Sequence, residues 1–272
     1  MSSAMDSSLE KDDANDVDCR FAILMVAVSV TFFYLLNMMT AKFINPPPSA
    51  SKDPWRWRNL FVSWIHAILC GSWDLACFSF YPEMFNDLVA HINYFTYMMV
   101  AFSTGYFIYD ALDMYLNNKL LSDWGVTLHH IIVILFFVHT ILTKYGTGLT
   151  CVALMTEING VFLHARKLMQ MFQFGFNHKL YILNKYLNLS TFIVCRGFPI
   201  IRIFYGLMYE CHEIVQPLRI TFKIMVILMA IINIVLFKRL CESDILIKFK
   251  SKHKHMNGDG NTSNCSHDKK VN

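Results

Sequence analysis

Eight side chains of this 272-residue sequence can do chemistry yet lie inside apolar runs: His66, Asp110, Asp113, His129, His130, Glu157, Asn159 and Arg196. An ionisable group at bilayer depth is costly and must face protein or water. Asp110 and Asp113 stand three apart and share one helical face. His129 and His130 are adjacent on the following run. Imidazoles at the depth of carboxylates can do acid–base work; the same set can also simply pin two helices together. These four are the candidate catalytic residues. Glu157 and Arg196 fall near the middle of two later runs, and a pair between them is the economical arrangement. With Asn159 and His66 they form a candidate lipid pocket or structural polar core. Neither the Asp nor the His pair has a metal-ligand spacing. The eight cysteines are scattered without a CxxC, so no metal site is expected.

Stepping these residues into place takes membrane-spanning helices. The chain is 55% hydrophobic, 15% aromatic and only 16% charged, with a formal net charge of +4. A soluble domain carries about 25% charged residues. This composition excludes a disordered tail, a collagen and a nucleic-acid-binding module, and it argues against an ordinary globular enzyme. A span needs about 20 mostly apolar residues. Seven runs qualify: 21–44, 59–80, 93–116, 126–142, 147–165, 183–207 and 218–237. The fold class is therefore all-α, a multi-pass transmembrane bundle of about seven spans (six to seven). The boundary between the fourth and fifth runs, at Lys144-Tyr145-Gly146, is the least defined.

Residues 1–20 are an acidic lead-in with Asp6, Glu10, Asp12, Asp13, Asp16 and Asp18. A signal peptide starts basic and has a shorter apolar stretch, so the run 21–44 is expected as a retained first helix. A Pro-rich linker follows at 45–53. Lys52, Arg56 and Arg58, then Arg166, Lys167 and Lys179, then the Lys-rich end all flank spans on one side. Lys and Arg favour the cytosolic side. The expectation is an N-terminus outside and a C-terminus in the cytosol, with 241–272 a basic, disordered tail. Trp55, Trp57 and Trp124 are expected as interface anchors. The tail ends Lys269-Lys270-Val271-Asn272, similar to an endoplasmic-reticulum retrieval signal. Its Asn261-Thr262-Ser263 and Asn264-Cys265-Ser266 would stay unglycosylated in the cytosol.

Several segments together resemble one family. They are Trp55-Arg56-Trp57-Arg58-Asn59-Leu60 leading to His66, Gly105-Tyr106-Phe107-Ile108 with Asp110 and Asp113, and Trp124 before His129-His130. Glu157, Asn159, Phe162 and Arg166 follow, then Asn184-Lys185-Tyr186-Leu187-Asn188-Leu189, then Arg196 with Pro199. This set resembles the TLC domain over residues 54–240, and most closely the subgroup of TLC domain-containing proteins 1 and 2. The resemblance implies a plasma-membrane protein that regulates phospholipid composition and fluidity. It would limit long-chain polyunsaturated acyl chains, with membrane phospholipids or acyl chains as partners and no nucleic acid. The Lys-Lys ending keeps the endoplasmic reticulum as the alternative location. No cofactor is implied. Ceramide synthases are the enzymatic relatives, and their His pair matches His129-His130. Where they carry His-Asp-x-x-Asp, this chain reads Thr156-Glu157-Ile158-Asn159. An acyltransferase using acyl-CoA as co-substrate, with a His base oriented by Asp110 or Asp113, is the alternative activity.

Overall fold

The computed structural model describes residues 17–174 and 178–243. The acidic lead-in up to residue 16, and the tail from 244 with its glycosylation patterns and Lys-Lys ending, lie outside the described residues. The helices are α1 (Cys19–Phe43), α2 (Pro54–Phe80), α3 (Tyr94–Leu116), α4 (Trp124–Thr143) and α5 (Thr147–Met171). Then come α6 (Lys179–Phe192), a π turn (Ile193–Gly197), α7 (Phe198–Tyr209) and α8 (Gln216–Cys241). Short 3-10 turns sit at Pro48–Ala50 and Pro82–Phe85. The described residues contain no strand.

Six of these stretches are long and apolar enough to cross a membrane: α1, α2, α4, α5, the continuous Lys179–Tyr209 and α8. The remaining helix, α3, was expected as the third span. Its 23 residues rise about 34 Å, enough for the hydrocarbon core. It is an interior helix that carries several polar residues. Fourteen of its residues are buried, among them Thr96, Ser103, Thr104, Asp110 and Asp113. The uncertain boundary between the fourth and fifth runs is a tight turn. Lys144 takes a left-handed conformation at φ 60°, and Gly146 follows at φ 80°. Lys144 N–H closes α4 on Thr140 O at 2.8 Å.

Local caps set the helix starts. Asp18 accepts from Arg20 N–H, and Asn93 accepts from Thr96 N–H. Asp53 caps α2 ahead of Pro54, a residue suited to the first helical position. Asp53 also meets Lys119 Nζ at 3.1 Å, and Arg56 Nη2 meets Asp123 Oδ1 at 2.8 Å. Both pairs tie the start of α2 to the α3–α4 connection. Burial acts to raise the Asp53 carboxyl, but the Lys119 hydrogen bond, the Arg56 amide and both cations hold it below its ordinary value. The pair therefore contributes at neutral pH and is lost only as acid protonates a carboxyl already pulled down.

Contacts divide the chain into residues 1–230 and 231–272. In the first unit, α1 packs along α3 and α2 packs along α5. Small residues allow both approaches. A Cβ on Gly105 would stand 2.5 Å from Ser29 Cβ and 2.6 Å from Val26 O, and one on Gly71 would meet Ile158 N at 3.3 Å. Ser29 Oγ donates to Phe102 O at 2.5 Å across the first crossing. Phe222 of α8 sets its ring edge-on to Phe136 and His139. In the second unit α8 runs on to Cys241 and carries Lys238 and Arg239 in its last turn.

Gly105→Ala is expected to destabilise the protein by about 1–3 kcal/mol, because the obstructing Val26 carbonyl belongs to a helix backbone and cannot swing aside. Gly125, with open space around it, is the control, and Gly125→Ala should be neutral or slightly stabilising. Loss of helical circular dichroism on heating in detergent micelles measures both.

Candidate functional site

The site is built where α2 and α3 lie alongside each other in opposite directions. Each presents a polar stripe at spacings of three or four. On α2 the stripe reads Trp55, Asn59, Ser63, His66, Cys70, Asp74, Cys77; on α3 it reads Ser103, Tyr106, Asp110, Asp113, Asn117. Such spacing keeps residues on one face. The helices cannot bury these faces in lipid, so they turn them toward each other and toward α4 and α5.

At the Pro54 end, Trp55 Nε1 donates to Asp113 Oδ2 at 2.7 Å. Asn37 of α1 and Asn117 stand 3.3 Å from Asp113 Oδ1. One turn deeper, Asn59 Nδ2 donates to Asp110 Oδ1 at 2.5 Å and lies 3.4 Å from Asp113 Oδ2. The other oxygen of Asp110 lies 3.3 Å from His130 Nδ1 of α4, and both side chains are buried. The approach falls short of a formed hydrogen bond. Phe107 packs on both neighbouring imidazoles, with centroids 5.9 Å from His129 and 5.5 Å from His130.

Deeper still, the His66 ring stacks on Tyr106 with centroids 3.7 Å apart and planes 9° apart. Its Nε2 sits 3.1 Å from Ser103 Oγ, and its Nδ1 lies 3.5 Å from Glu157 Oε2 of α5. Glu157 interacts electrostatically with His66, His164 and Arg196. Asn159 Oδ1 accepts from Arg196 Nε at 2.6 Å, and Asn159 Nδ2 is held by Asn188 and Thr191 at 3.0 Å. Arg196 belongs to the π turn, which precedes Pro199. Proline has no N–H and crowds the preceding turn, so the wider coil relieves both problems.

The structure thus brings together Asp110, Asp113 and His130 in one group and His66 with Glu157 in another. Asn159 joins Arg196 beside the second. The expected Glu157–Arg196 pair is present as an electrostatic attraction, while the hydrogen bond from Arg196 Nε goes to Asn159 and Glu157 also faces His66. No hydrogen bond or ion pair among the described residues joins His129 to Asp110 or Asp113, and its Nδ1 lies 3.4 Å from Met229 Sδ of α8. A step of one residue turns a helical side chain by about 100°, so two adjacent histidines cannot both face one aspartate. Asp74 is fully buried, and neither of its oxygens has a hydrogen-bond partner among the described residues. Among those residues no three His, Cys, Asp or Glu side chains converge as a metal would require.

Two tryptophans depart from the expected role of interface anchor. Trp55 is buried against Asp113, and Trp57 is buried and stacked on Phe61; Trp124 is exposed. Asn59, Trp55, Ser103, Tyr106 and His164 were not singled out as site residues from the sequence. The three–four stripe on α2 was the available signal for Trp55 and Asn59.

The TLC domain profile matches residues 56–242. Among curated relatives, TLC domain-containing protein 2 of Danio rerio is 34% identical over 231 residues, covering 85% of this chain and 93% of that protein. TLC domain-containing protein 1 of Homo sapiens is 30% identical over 236 residues, with the same coverage of 85% and 93%. TLC domain-containing protein 2 of Homo sapiens is 29% identical over 200 residues, covering 74% and 75%.

Trp55→Phe keeps the ring in its packed place and removes the indole donor to a buried carboxylate. It should cost about 1–3 kcal/mol. Trp124→Phe, at an exposed ring, should cost little by the same thermal measurement.

Proposed function

This chain belongs to the TLC domain family and is a multi-pass membrane protein; on that footing we propose that it regulates the phospholipid composition, and so the fluidity, of the plasma membrane. It limits long-chain polyunsaturated acyl chains in membrane phospholipids. The N-terminus faces outward and the C-terminus faces the cytosol. The observation that carries this reading is the convergence of ionisable side chains from α2, α3, α4 and α5 inside an otherwise apolar set of spans. Retaining such groups in lipid surroundings marks a working interior rather than a simple anchor. The resemblance to TLC domain-containing proteins 1 and 2 supplies the substrate class. Cells lacking the protein should gain polyunsaturated phospholipid, most of all phosphatidylethanolamine, when fed polyunsaturated fat. Quantitative lipidomics reads this, and acyl profiles indistinguishable from wild type would defeat the proposal.

The approach of Asp110 to His130 favours a second reading, acyl transfer within the membrane. His130 would take the proton of a lipid hydroxyl or amine as that group attacks the thioester carbonyl of acyl-CoA. The C–S bond then breaks, and the proton passes to the departing CoA thiolate. Asp110 would orient the ring and stabilise the imidazolium formed on the way. Purified protein with labelled acyl-CoA and a lipid acceptor should then turn over, and His130→Ala should lower turnover by about 100-fold or more. Turnover unchanged in that variant removes His130 from the role.

A further inference from the structure

We propose that Asn59 is a positioning residue that decides which ring nitrogen of His130 carries the proton. Asn59 sits on the polar stripe of α2, and its amide donates to Asp110 Oδ1 at 2.5 Å. That contact occupies one carboxylate oxygen and leaves Oδ2 as the one turned to His130, 3.3 Å from Nδ1. A carboxylate beside Nδ1 keeps the N–H on that nitrogen and leaves Nε2 with its lone pair. The described residues make no hydrogen bond to Nε2, so the nitrogen left for a ligand is the basic one. At 3.3 Å the Nδ1–Oδ2 approach is short of a formed hydrogen bond, and such contacts often tighten only with a ligand bound.

Asp113 is excluded from this role by its own partners. Trp55, Asn37 and Asn117 take up its oxygens on the side facing α1 and the start of α2. Asn59 reaches Asp113 only at 3.4 Å, against 2.5 Å for Asp110. The amide is neutral, so it separates two carboxylates of one helix face without adding charge of either sign. Any part Asn59 plays in turnover rests on the acyl-transfer reading; the tautomer of His130 does not.

The test uses the full-length protein in lipid nanodiscs with 15N-labelled histidine, the His130 signals being assigned by their loss in His130→Phe. Wild type should show Nδ1 protonated and Nε2 bare. Asp110→Asn is nearly the same shape. With Asn59 donating to the oxygen of the new amide, its NH2 must face His130 Nδ1. The two nitrogen signals should then exchange, with the proton moving to Nε2. Asn59→Leu should give a mixture of both tautomers, whereas Asn37→Leu, which removes a partner of Asp113 and Tyr109 but none of Asp110, should leave the wild-type pattern. Nε2 protonated in wild type, Nδ1 still protonated in Asp110→Asn, or a wild-type pattern in Asn59→Leu would each overturn the assignment. Should Asn59→Leu fail to fold, the Asp110→Asn result decides alone. Exchanged signals in Asp110→Asn together with undiminished acyl transfer would remove His130 from the role of base in that reaction and leave the role of Asn59 standing.

Discussion

The structure depends on a face-to-face match between polar stripes on α2 and α3. In water each stripe would be an ordinary solvated face. Among lipid tails every donor and acceptor must find its partner within the protein. Trp55 with Asp113, Asn59 with Asp110, and His66 with Ser103 are successive rungs of one antiparallel ladder. Each rung fixes the register of the next. A slip of one residue would swing the carboxylates by about 100° and strand them in lipid. The remaining helices complete the arrangement. α4 brings His130, α5 brings Glu157, and α1 closes over the outer side of α3 through the Gly105–Ser29 crossing.

The two aspartates show how environment separates residues that look alike in sequence. Asp113 is surrounded by indole and amide donors and has the character of a structural anchor. Asp110 has one oxygen satisfied and one directed at an imidazole. The histidines divide in the same way. His130 meets a carboxylate, while His129 meets a thioether and an aromatic edge. A charged partner and an apolar wall give adjacent imidazoles different chemistry.

Much of this was legible in the sequence, and what was not has physical causes. The long apolar runs gave the helices directly, because hydrocarbon thickness sets a minimum length. Placing Asp110–Asp113 and His129–His130 at matching depth followed from the short loop between their runs, and the Asp110–His130 approach realises it. Which histidine faces which aspartate was not legible, since it depends on helix rotation. The run at 93–116 was legible as a span, but its interior place was not: a helix surrounded by helices needs no lipid-facing surface and can carry more polar residues than one at the rim. Trp55 and Trp57 were misjudged as anchors for a related reason. Aromatic residues near a span end suit either the headgroup layer or a buried carboxylate, and only the partner across the groove distinguishes the two.

The π turn at Ile193–Gly197 holds a wider consequence. A coil carrying an additional residue rotates everything that follows it relative to an uninterrupted helix. That offset aims Gly206 at Leu149, where a Cβ would come within 3.0 Å. Shortening the segment by one residue would restore even winding upstream of Pro199. It would also turn the second half of the span away from α5. Length in this stretch is therefore constrained to the single residue, even though its outward side chains, Ile193 and Val194, are free to vary among greasy types.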